Sequence, residues 1–300
     1  MSSTPLLSRT PAPAGAAAGR TGSAGPLGDT ELSEATARIR EHIVAMCASR
    51  EGGHLGGSMS LAEILSVLYF RVLRHDSRFP GLPERDVLLL SKGHGGIALF
   101  AALCEAGYFP AEELTGYAEP GSHFTAHPHP GIPGVEMPSG SLGHGLALGV
   151  GYALAHRLDR SDRRCFVVMG DGELQEGSVW EAASVASAQR LGGLTAIVDR
   201  NGLQISGETE SVGALEPLAD RWRAFGWRVL ETDGHDTEAL TAALTLPPEP
   251  HRPTVVIAHT VKGKGVAQVE GQARSHYVRL NRRQQLNLLK ALRAAAGGLR

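Results

Sequence analysis

Residues 165–202 contain the stretch that decides the fold: Cys165-Phe-Val-Val-Met169, then Gly170-Asp171-Gly172, and later Leu194-Thr-Ala-Ile-Val198 followed by Asn201-Gly202. Each apolar run predicts a buried strand, and the segment between them, about 178–191, predicts a helix. Such a unit makes the two strands parallel and joins them by a right-handed crossover. If the strands are neighbours, Asp171 and Asn201 lie together at the carboxyl edge of the sheet, where open α/β sheets bind ligands.

The two side chains expected at that edge form a set of hard oxygen donors. Asp171 offers a carboxylate and Asn201 an amide oxygen, and Mg²⁺ favours such ligands while it keeps other positions for water and phosphate oxygens. The neighbouring glycines let the backbone approach a diphosphate closely. Asp and Asn are also common in ordinary turns, so it is their pairing at neighbouring strand ends that indicates a metal site.

The rest of the chain alternates strands with helices. Further buried strands are predicted at about 86–90, 227–231 and 254–258, and helices at about 31–48, 61–73, 97–106, 146–158, 217–224, 237–244 and 282–294. Asp29 or Thr30 is expected to cap the first helix. Residues 117–138 carry no periodicity and predict a long functional loop. The alternation predicts an α/β fold with a doubly wound, mostly parallel sheet flanked by helices.

Composition bounds the classes of function. Residues 1–28 are rich in Ala, Gly, Pro, Ser and Thr and predict a disordered tail before one domain over 29–300. A net charge of −2 argues against a nucleic-acid or membrane-surface role. No apolar run reaches the roughly 18 residues of a membrane span. The three cysteines, Cys47, Cys104 and Cys165, form no paired motif, which is typical of core residues in a reducing cytoplasm.

Several motifs along the chain resemble those of the transketolase family, in the family's order. Gly170-Asp171-Gly172, with Asn201-Gly202 about thirty residues on, resembles the signature for thiamine diphosphate. The others are Gly52-Gly53-His54-Leu55-Gly56-Gly57-Ser58, Ser91-Lys92-Gly93-His94-Gly95, Gly140-Ser141-Leu142-Gly143-His144-Gly145, Asp233-Gly234-His235-Asp236 and His259-Thr260-Val261-Lys262-Gly263-Lys264-Gly265. The resemblance covers about residues 30–290 and implies the diphosphate-binding domain of the thiamine-diphosphate-binding fold.

The resemblance also implies roles for particular residues. Asp171, Asn201 and the backbone carbonyl of Leu203 match the family's ligands to Mg²⁺. Gly170, Gly172 and His94 match positions beside the diphosphate, and Gly140 and Leu142 match positions against the aminopyrimidine ring. Glu176 matches a buried acidic residue that helps to link the two cofactor sites of a dimer. His54, His127 and His276 match catalytic positions that face the thiazolium and the sugar hydroxyls.

Some of these correspondences leave alternatives open. His127 aligns only after a one-residue gap, and the context of His276 matches the family in part. The histidines of the long loop, His123, His127 and His129, could instead form a metal cluster, although zinc sites usually have a more ordered spacing. Glu176 also suits the first turn of a helix. Lys262 and Lys264 are compatible with phosphate contact or with a solvated loop.

A whole transketolase carries a second domain, which binds the aminopyrimidine ring and supplies a glutamate that acts on its N1′. The resemblance therefore implies a split enzyme: this chain would bind the diphosphate, and a separate C-terminal transketolase subunit would supply the pyrimidine-binding domain, in a two-fold symmetric heterotetramer. The implied reaction transfers a two-carbon ketol unit from a sugar or sugar-phosphate ketose to an aldehyde or carrier-bound acceptor. The alternatives are an α-type subunit of a 2-oxo acid dehydrogenase and a non-catalytic, cofactor-holding subunit.

Overall fold

Five parallel strands form the central sheet. A computed structural model describes residues 25–297, and the strands in that part of the chain are β1 Val87–Leu90, β2 Cys165–Gly170, β3 Leu194–Arg200, β4 Leu203–Gln204, β5 Gly207–Glu208, β6 Arg228–Asp233 and β7 Thr254–His259. The sheet has the order β1-β2-β3-β7-β6, and each of its pairings is parallel. The predicted adjacency of β2 and β3 is confirmed. The short strands β4 and β5 form an antiparallel hairpin beside the sheet.

Helices cover both faces of the sheet. Within the described residues they are α1 Asp29–Cys47, α2 Leu55–Met59, α3 Ala62–Val67, α4 Gly96–Glu105, α5 Gly145–Leu158, α6 Gly177–Ala188, α7 Thr209–Val212, α8 Leu218–Ala224, α9 Thr237–Thr245 and α10 Arg282–Gly297. Single 3₁₀ turns, Gly93–Gly95 and Gly172–Gln175, follow β1 and β2 almost directly. Residues 117–138 contain neither helix nor strand, as the lack of periodicity predicted.

Alternate residues of each strand face two separate apolar layers. On β2, Phe166 and Val168 pack into the layer formed with α1, α3, α4 and α9. Cys165, Val167 and Met169 pack into the other layer, with α5, α6 and α8. Side chains on a strand alternate between its two faces, and both faces are covered here, so every residue of β2 is apolar or glycine and buried. The predicted doubly wound fold is confirmed.

The segment expected as one helix over 61–73 is interrupted. Helix α3 ends at Val67, and Leu68–Val72 form a π-helical turn in which the Leu73 N–H donates to the Leu68 carbonyl at 2.8 Å. The apolar pattern does not report this change of hydrogen-bond register. Helix α2, directly after His54, was not predicted, because its two glycines have low helix propensity.

The N-terminal boundary differs from the expectation in two details. Helix α1 already begins at Asp29 with Gly28 as its cap, so neither Asp29 nor Thr30 caps it. The Glu31 carboxylate accepts the Gly28 N–H at 3.2 Å instead. Leu27 is buried, and its N–H donates to the Phe70 carbonyl at 3.2 Å, so it packs with the domain rather than with the tail. Residues 1–24 of the expected tail lie outside the described residues.

The three cysteines are buried and unpaired, as expected for core residues. Burial raises the pKa of the Cys104 thiol to about 12 and also raises the pKa of Cys47 and Cys165, which keeps these thiols protonated and unreactive. Across residues 25–297, no helix combines the length and the apolar character needed to cross a bilayer.

Two glycines of α5 provide a test of the helix–sheet packing. A Cβ added at Gly149 would lie 2.5 Å from Val167 Cγ2 on β2, whereas a Cβ at Gly151 would meet nothing within 4 Å. Gly149→Ala should lower the free energy of unfolding by about 1–3 kcal/mol, because it overpacks a rigid contact. Gly151→Ala should raise it by up to about 1 kcal/mol, because alanine favours the helix. Urea unfolding of both variants measures the two shifts, and shifts of the same sign would contradict this packing.

Candidate functional site

Four of the five strands of the sheet lead polar side chains into one cavity at the carboxyl edge. β1 is followed by Lys92 and His94, β2 by Asp171, β3 by Asn201 and β7 by Lys262. The cavity has a volume of about 430 Å³, which is within the range of small-molecule sites. It therefore lies at the edge of the sheet where the strand pattern predicted a ligand.

The structure brings together every residue to which the family resemblance assigned a role in the site. All twelve line this cavity: His54, His94, His127, Gly140, Leu142, Gly170, Asp171, Gly172, Glu176, Asn201, Leu203 and His276. They come from segments far apart in the sequence, so their meeting is a property of the fold. The individual role of each residue stays a prediction.

Asp171 and Asn201 lie beside each other, at the ends of neighbouring strands. One carboxylate oxygen of Asp171 accepts the Gly172 N–H at 2.8 Å, and the other accepts the N–H of Gly202, the residue after Asn201. The amide oxygen of Asn201 accepts the Leu203 N–H at 3.2 Å, which folds the chain back toward the cavity. Asp171 Oδ1 and Asn201 Oδ1 each accept one of these hydrogen bonds and so retain a lone pair for a further partner.

The electrostatic surroundings of Asp171 favour an added cation. Its side chain is almost fully buried, and burial together with the nearby Asp199 carboxylate raises the pKa of Asp171 above its ordinary value. Arg200 approaches the same carboxylate at 3.3 Å but also pairs with Glu210 and Glu216 on its outer side. A divalent ion at this point would therefore stabilise the charged form of Asp171.

Four imidazoles surround one end of the cavity. The ring centre of His54 lies 5.2 Å from that of His276, 5.5 Å from His127 and 6.0 Å from His94. Burial, and then the positive charge of neighbouring groups, lowers the pKa of His54 and of His276 to about 4. The same causes lower the pKa of His94. These three rings are thus neutral at pH 7, each with one donor and one acceptor nitrogen.

The structure distinguishes Lys262 from Lys264. Lys262 is buried, and its ammonium group donates to the Leu203 carbonyl at 3.3 Å and lies 3.5 Å from His276 Nδ1. Burial, and then the charge of Lys92, lowers the pKa of Lys262 to about 8. Lys264 instead pairs with Glu270 at 3.4 Å and does not line the cavity. The phosphate-contact interpretation therefore fits Lys262 and does not fit Lys264.

Lys92 and Asp199 form an ion pair beneath the cavity. Asp199 is completely buried, and Lys92 is 1% exposed. Ser60 Oγ donates to the same carboxylate at 2.7 Å, and Thr260 Oγ1 donates to its other oxygen. The Lys92 ammonium also donates to the Gly57 carbonyl at 3.2 Å. Loss of either charge would leave the other buried without compensation, so this pair must stay intact for the strand ends to keep their positions.

Glu173 is a site residue that the sequence reasoning missed. Its buried carboxylate accepts hydrogen bonds from Ser91 Oγ, from the Gly143 N–H at 2.8 Å and from the Gly170 N–H at 3.1 Å. It thereby ties together three of the quoted motifs. Its position directly after the Gly-Asp-Gly turn was the available signal. Glu176, which the resemblance assigns to a buried position, is exposed at the rim of the cavity in this single chain.

The histidines of the long loop do not converge on a metal. His129 Nε2 lies 2.8 Å from the His123 carbonyl, and its Nδ1 accepts the Gly131 N–H at 3.1 Å, while His127 faces the cavity. Over residues 25–297, no group of three or more His, Cys, Asp or Glu side chains is arranged to hold a metal ion. The Asp171–Asn201 pair is not such a group, because it offers a single carboxylate together with neutral amide and carbonyl oxygens.

The walls of the cavity present unused hydrogen-bonding capacity. His54 Nδ1 and Gln204 Oε1 are buried and have no hydrogen-bond partner within the described part of the chain. Buried polar atoms in folded proteins are nearly always paired, so both atoms are available to a ligand in this cavity. A Cβ at Gly172 would lie 3.1 Å from Gln204 Cβ, so glycine keeps this turn open. Together with Lys262 and the Asp171–Asn201 oxygens, these features fit an anion held through a divalent cation.

Comparison with known proteins agrees with this site. Residues 32–294 match the family model for transketolase, thiamine diphosphate binding domain. The chain is 45% identical, over 230 residues, to SqwG of Clostridium sp. (strain MSTE9), a 6-deoxy-6-sulfo-D-fructose transketolase subunit, covering 76% of this chain and 84% of that one. It is 41% identical, over 239 residues, to one of the subunits of the apulose-4-phosphate transketolase of Phocaeicola vulgatus, covering 79% and 85%.

Solved transketolases share the fold. The structure matches the transketolase of Campylobacter jejuni with a TM-score of 0.80 and 32% identity, over 89% of this chain and 42% of that one. The chain thus spans about two fifths of the length of the solved transketolases that it matches. The chain belongs to the transketolase family and carries the family's thiamine diphosphate binding domain.

Proposed function

We propose that this chain is the diphosphate-binding subunit of a split transketolase that depends on thiamine diphosphate and Mg²⁺. The observation that carries the proposal is the single cavity in which Asp171 and Asn201, the buried Lys262 and four imidazoles meet. Relatives of similar length that are named as transketolase subunits support the split organisation. A cytoplasmic location is part of the proposal and is supported by the three unpaired cysteines.

The residues of this chain would hold the cofactor from one side. Asp171, Asn201 and the Leu203 carbonyl are the proposed ligands of Mg²⁺, and Lys262 with His94 would face the diphosphate oxygens. Thiamine diphosphate, when bound, supplies the carbanion chemistry of the transfer. The protein's task is to bind, to orient and to exclude water.

The neutral imidazoles are suited to a sugar substrate. His54 and His276 each offer a donor and an acceptor nitrogen to hydroxyl groups, and the His127 ring, 5.5 Å from that of His54, would face the same substrate. The low pKa of His54 and His276 keeps a lone pair available for proton exchange at pH 7. Two relatives are named for ketoses that carry a sulfo or a phosphate group, and we propose a ketose with such an anionic end as the donor.

The missing half of the site would come from a separate pyrimidine-binding subunit, in a heterotetramer with two-fold symmetry. Gly140, Leu142 and the exposed Glu176 lie at the rim of the cavity, where that subunit would close it. The names of the relatives, which are transketolase subunits, favour this activity over the 2-oxo acid dehydrogenase alternative.

Ligand binding is the first test. In titration calorimetry, the chain should bind thiamine diphosphate in the presence of Mg²⁺, and chelation of the metal should abolish the heat. Asp171→Asn should weaken binding by about 100-fold or more, since even outer-shell partners of a metal are worth about 10–100-fold. Asp220→Asn is the control, because Asp220 is an exposed carboxylate paired only with Arg223. Equal affinity for Asp171→Asn and the wild type would contradict the proposed metal site.

Activity is the second test. The chain alone should turn over a ketose phosphate and an aldehyde very slowly, and adding the separate pyrimidine-binding subunit should restore two-carbon transfer. Asp171→Asn in the reconstituted complex should remove that gain. Full activity of the Asp171→Asn complex would instead support a subunit that holds the cofactor without taking part in its chemistry.

The histidines predict a pH dependence of stability. Between about pH 6.5 and about pH 4, the unfolded chain protonates His54 and His276 while the folded chain does not. The unfolded state then binds more protons, so acidification lowers the free energy of unfolding of the ligand-free chain. His276→Gln should make this loss shallower, as measured by urea unfolding at pH 7 and pH 5. His251→Gln, in an exposed loop, controls for the loss of a histidine, and identical pH profiles for His276→Gln and wild type would refute the assignment.

A further inference from the structure

The Asp233-Gly234-His235-Asp236 motif lies outside the cavity, yet it contacts a loop that forms part of the cavity. The motif begins at the end of β6, next to β7 in the sheet. The His235 side chain is only 12% exposed and packs against the segment that follows β7, which carries Lys262. The proposed function assigns no role to this motif.

His235 makes two hydrogen bonds that fix its tautomer. The Val261 N–H donates to His235 Nε2 at 2.8 Å, so Nε2 carries no proton. Nδ1 therefore carries the proton and donates it to a carboxylate oxygen of Glu63 at 3.0 Å. The imidazole is a neutral bridge between the backbone of the β7 loop and a buried acid on α3.

Glu63 connects this bridge to the other end of the same loop. Arg40, on α1, contacts both oxygens of Glu63, at 2.7 Å and 2.8 Å, and its Nε donates to the Lys264 carbonyl at 3.3 Å. Burial raises the pKa of Glu63, but the charge of Arg40 and the hydrogen bond from His235 outweigh that effect and lower it. Glu63 is thus an anion at neutral pH, held from both sides.

The two backbone atoms that His235 and Arg40 hold lie on either side of Lys262 in the sequence. Val261 precedes Lys262 and Lys264 follows it by two residues, and both are attached through the same carboxylate. Between them, the Gly263 N–H donates to the Gly56 carbonyl at 2.9 Å, so the loop is also held from the cavity side. The backbone on either side of Lys262 therefore has little freedom, and the long side chain is directed to the Leu203 carbonyl and His276.

We infer that His235 is a positioning residue: through Glu63 and Arg40 it fixes the loop so that the Lys262 ammonium group is presented to the anionic part of the ligand. This inference rests on the proposed function, because it assumes that the ligand is the diphosphate of the cofactor. Preorganisation of a charged donor lowers the entropy lost when the ligand binds. His235 itself touches neither ligand nor metal.

Two replacements of His235 separate its two hydrogen bonds. His235→Gln places a carbonyl oxygen near the position of Nε2 and keeps an acceptor for the Val261 N–H, whereas His235→Asn keeps only a donor near Nδ1. In the ligand-free chain, His235→Asn should accelerate amide hydrogen exchange at 261–264 about tenfold. It should also weaken binding of thiamine diphosphate with Mg²⁺ about tenfold, because the buried Val261 N–H loses its acceptor. His235→Gln should stay within about twofold of the wild type in both measurements.

A double-mutant cycle shows whether the effect passes through Lys262. In a Lys262→Met background, His235→Asn should cause no further loss of affinity, because the side chain that it positions is already absent. His259→Asn is the matched control: His259 also lies at the end of a strand, β7, but its ring is 54% exposed, and Glu231 is its one hydrogen-bond partner among residues 25–297. It should leave exchange and affinity unchanged.

Several outcomes would overturn the inference: equal effects of His235→Asn and His235→Gln, full additivity with Lys262→Met, or unchanged exchange at 261–264 in His235→Asn. If His235→Asn does not fold, Arg40→Lys tests the other attachment of the loop, the hydrogen bond from Arg40 Nε to the Lys264 carbonyl. This variant keeps a positive charge beside Glu63 but removes the Nε donor. If the wild type binds no thiamine diphosphate, the proposed function fails, and the exchange measurement still decides whether His235 holds the loop.

Discussion

The carboxylate of Asp199 is the point on which the site depends. It lies at the end of β3, in the middle of the sheet, with no exposure to solvent, and it receives Lys92 from the end of β1, Thr260 from the end of β7 and Ser60 from the segment after α2. A buried charge must be fully paired, which forces these four segments into one arrangement. His94 and Lys262, which line the cavity, follow the paired residues Lys92 and Thr260 by two positions, so the same pairing fixes where they lie.

Burial and neighbouring charges disfavour the charged forms of several side chains that line the cavity. Asp171 is held where burial and a second carboxylate disfavour its charge, whereas Lys262 and His54 lie where burial and neighbouring cations disfavour theirs. Under the proposed function, a divalent cation beside the carboxylate and the bound anion beside the lysine would offset both effects. Binding would then recover part of the free energy that desolvating these groups costs on folding, which would link cofactor binding to the stability of the fold.

The sequence predicted the parts that follow from local pattern. Uninterrupted apolar strands flanked by helices indicated the doubly wound sheet, and polar residues placed directly after strands indicated Asp171 and Asn201. What escaped prediction depends on tertiary contact. The π turn after α3 is invisible in an apolar pattern, and the hydrogen bonds from Ser91 and Gly143 to Glu173 join segments that only the fold brings together. The bridge through His235 joins residues that lie far apart in the chain.

The position of β7 has a consequence for synthesis of the protein. It is the last strand along the described part of the chain, but it enters the sheet between β3 and β6. Until Thr254–His259 has left the ribosome, β3 presents an unpaired edge and β6 has no neighbour in the sheet. Open strand edges are templates for misassembly, so a nascent chain of this fold is open to wrong strand pairing in the interval between the synthesis of β3 and that of β7. Because Thr260 and Lys262 follow β7 at once, the step that closes the sheet also completes the wall of the cavity to which Lys262 belongs.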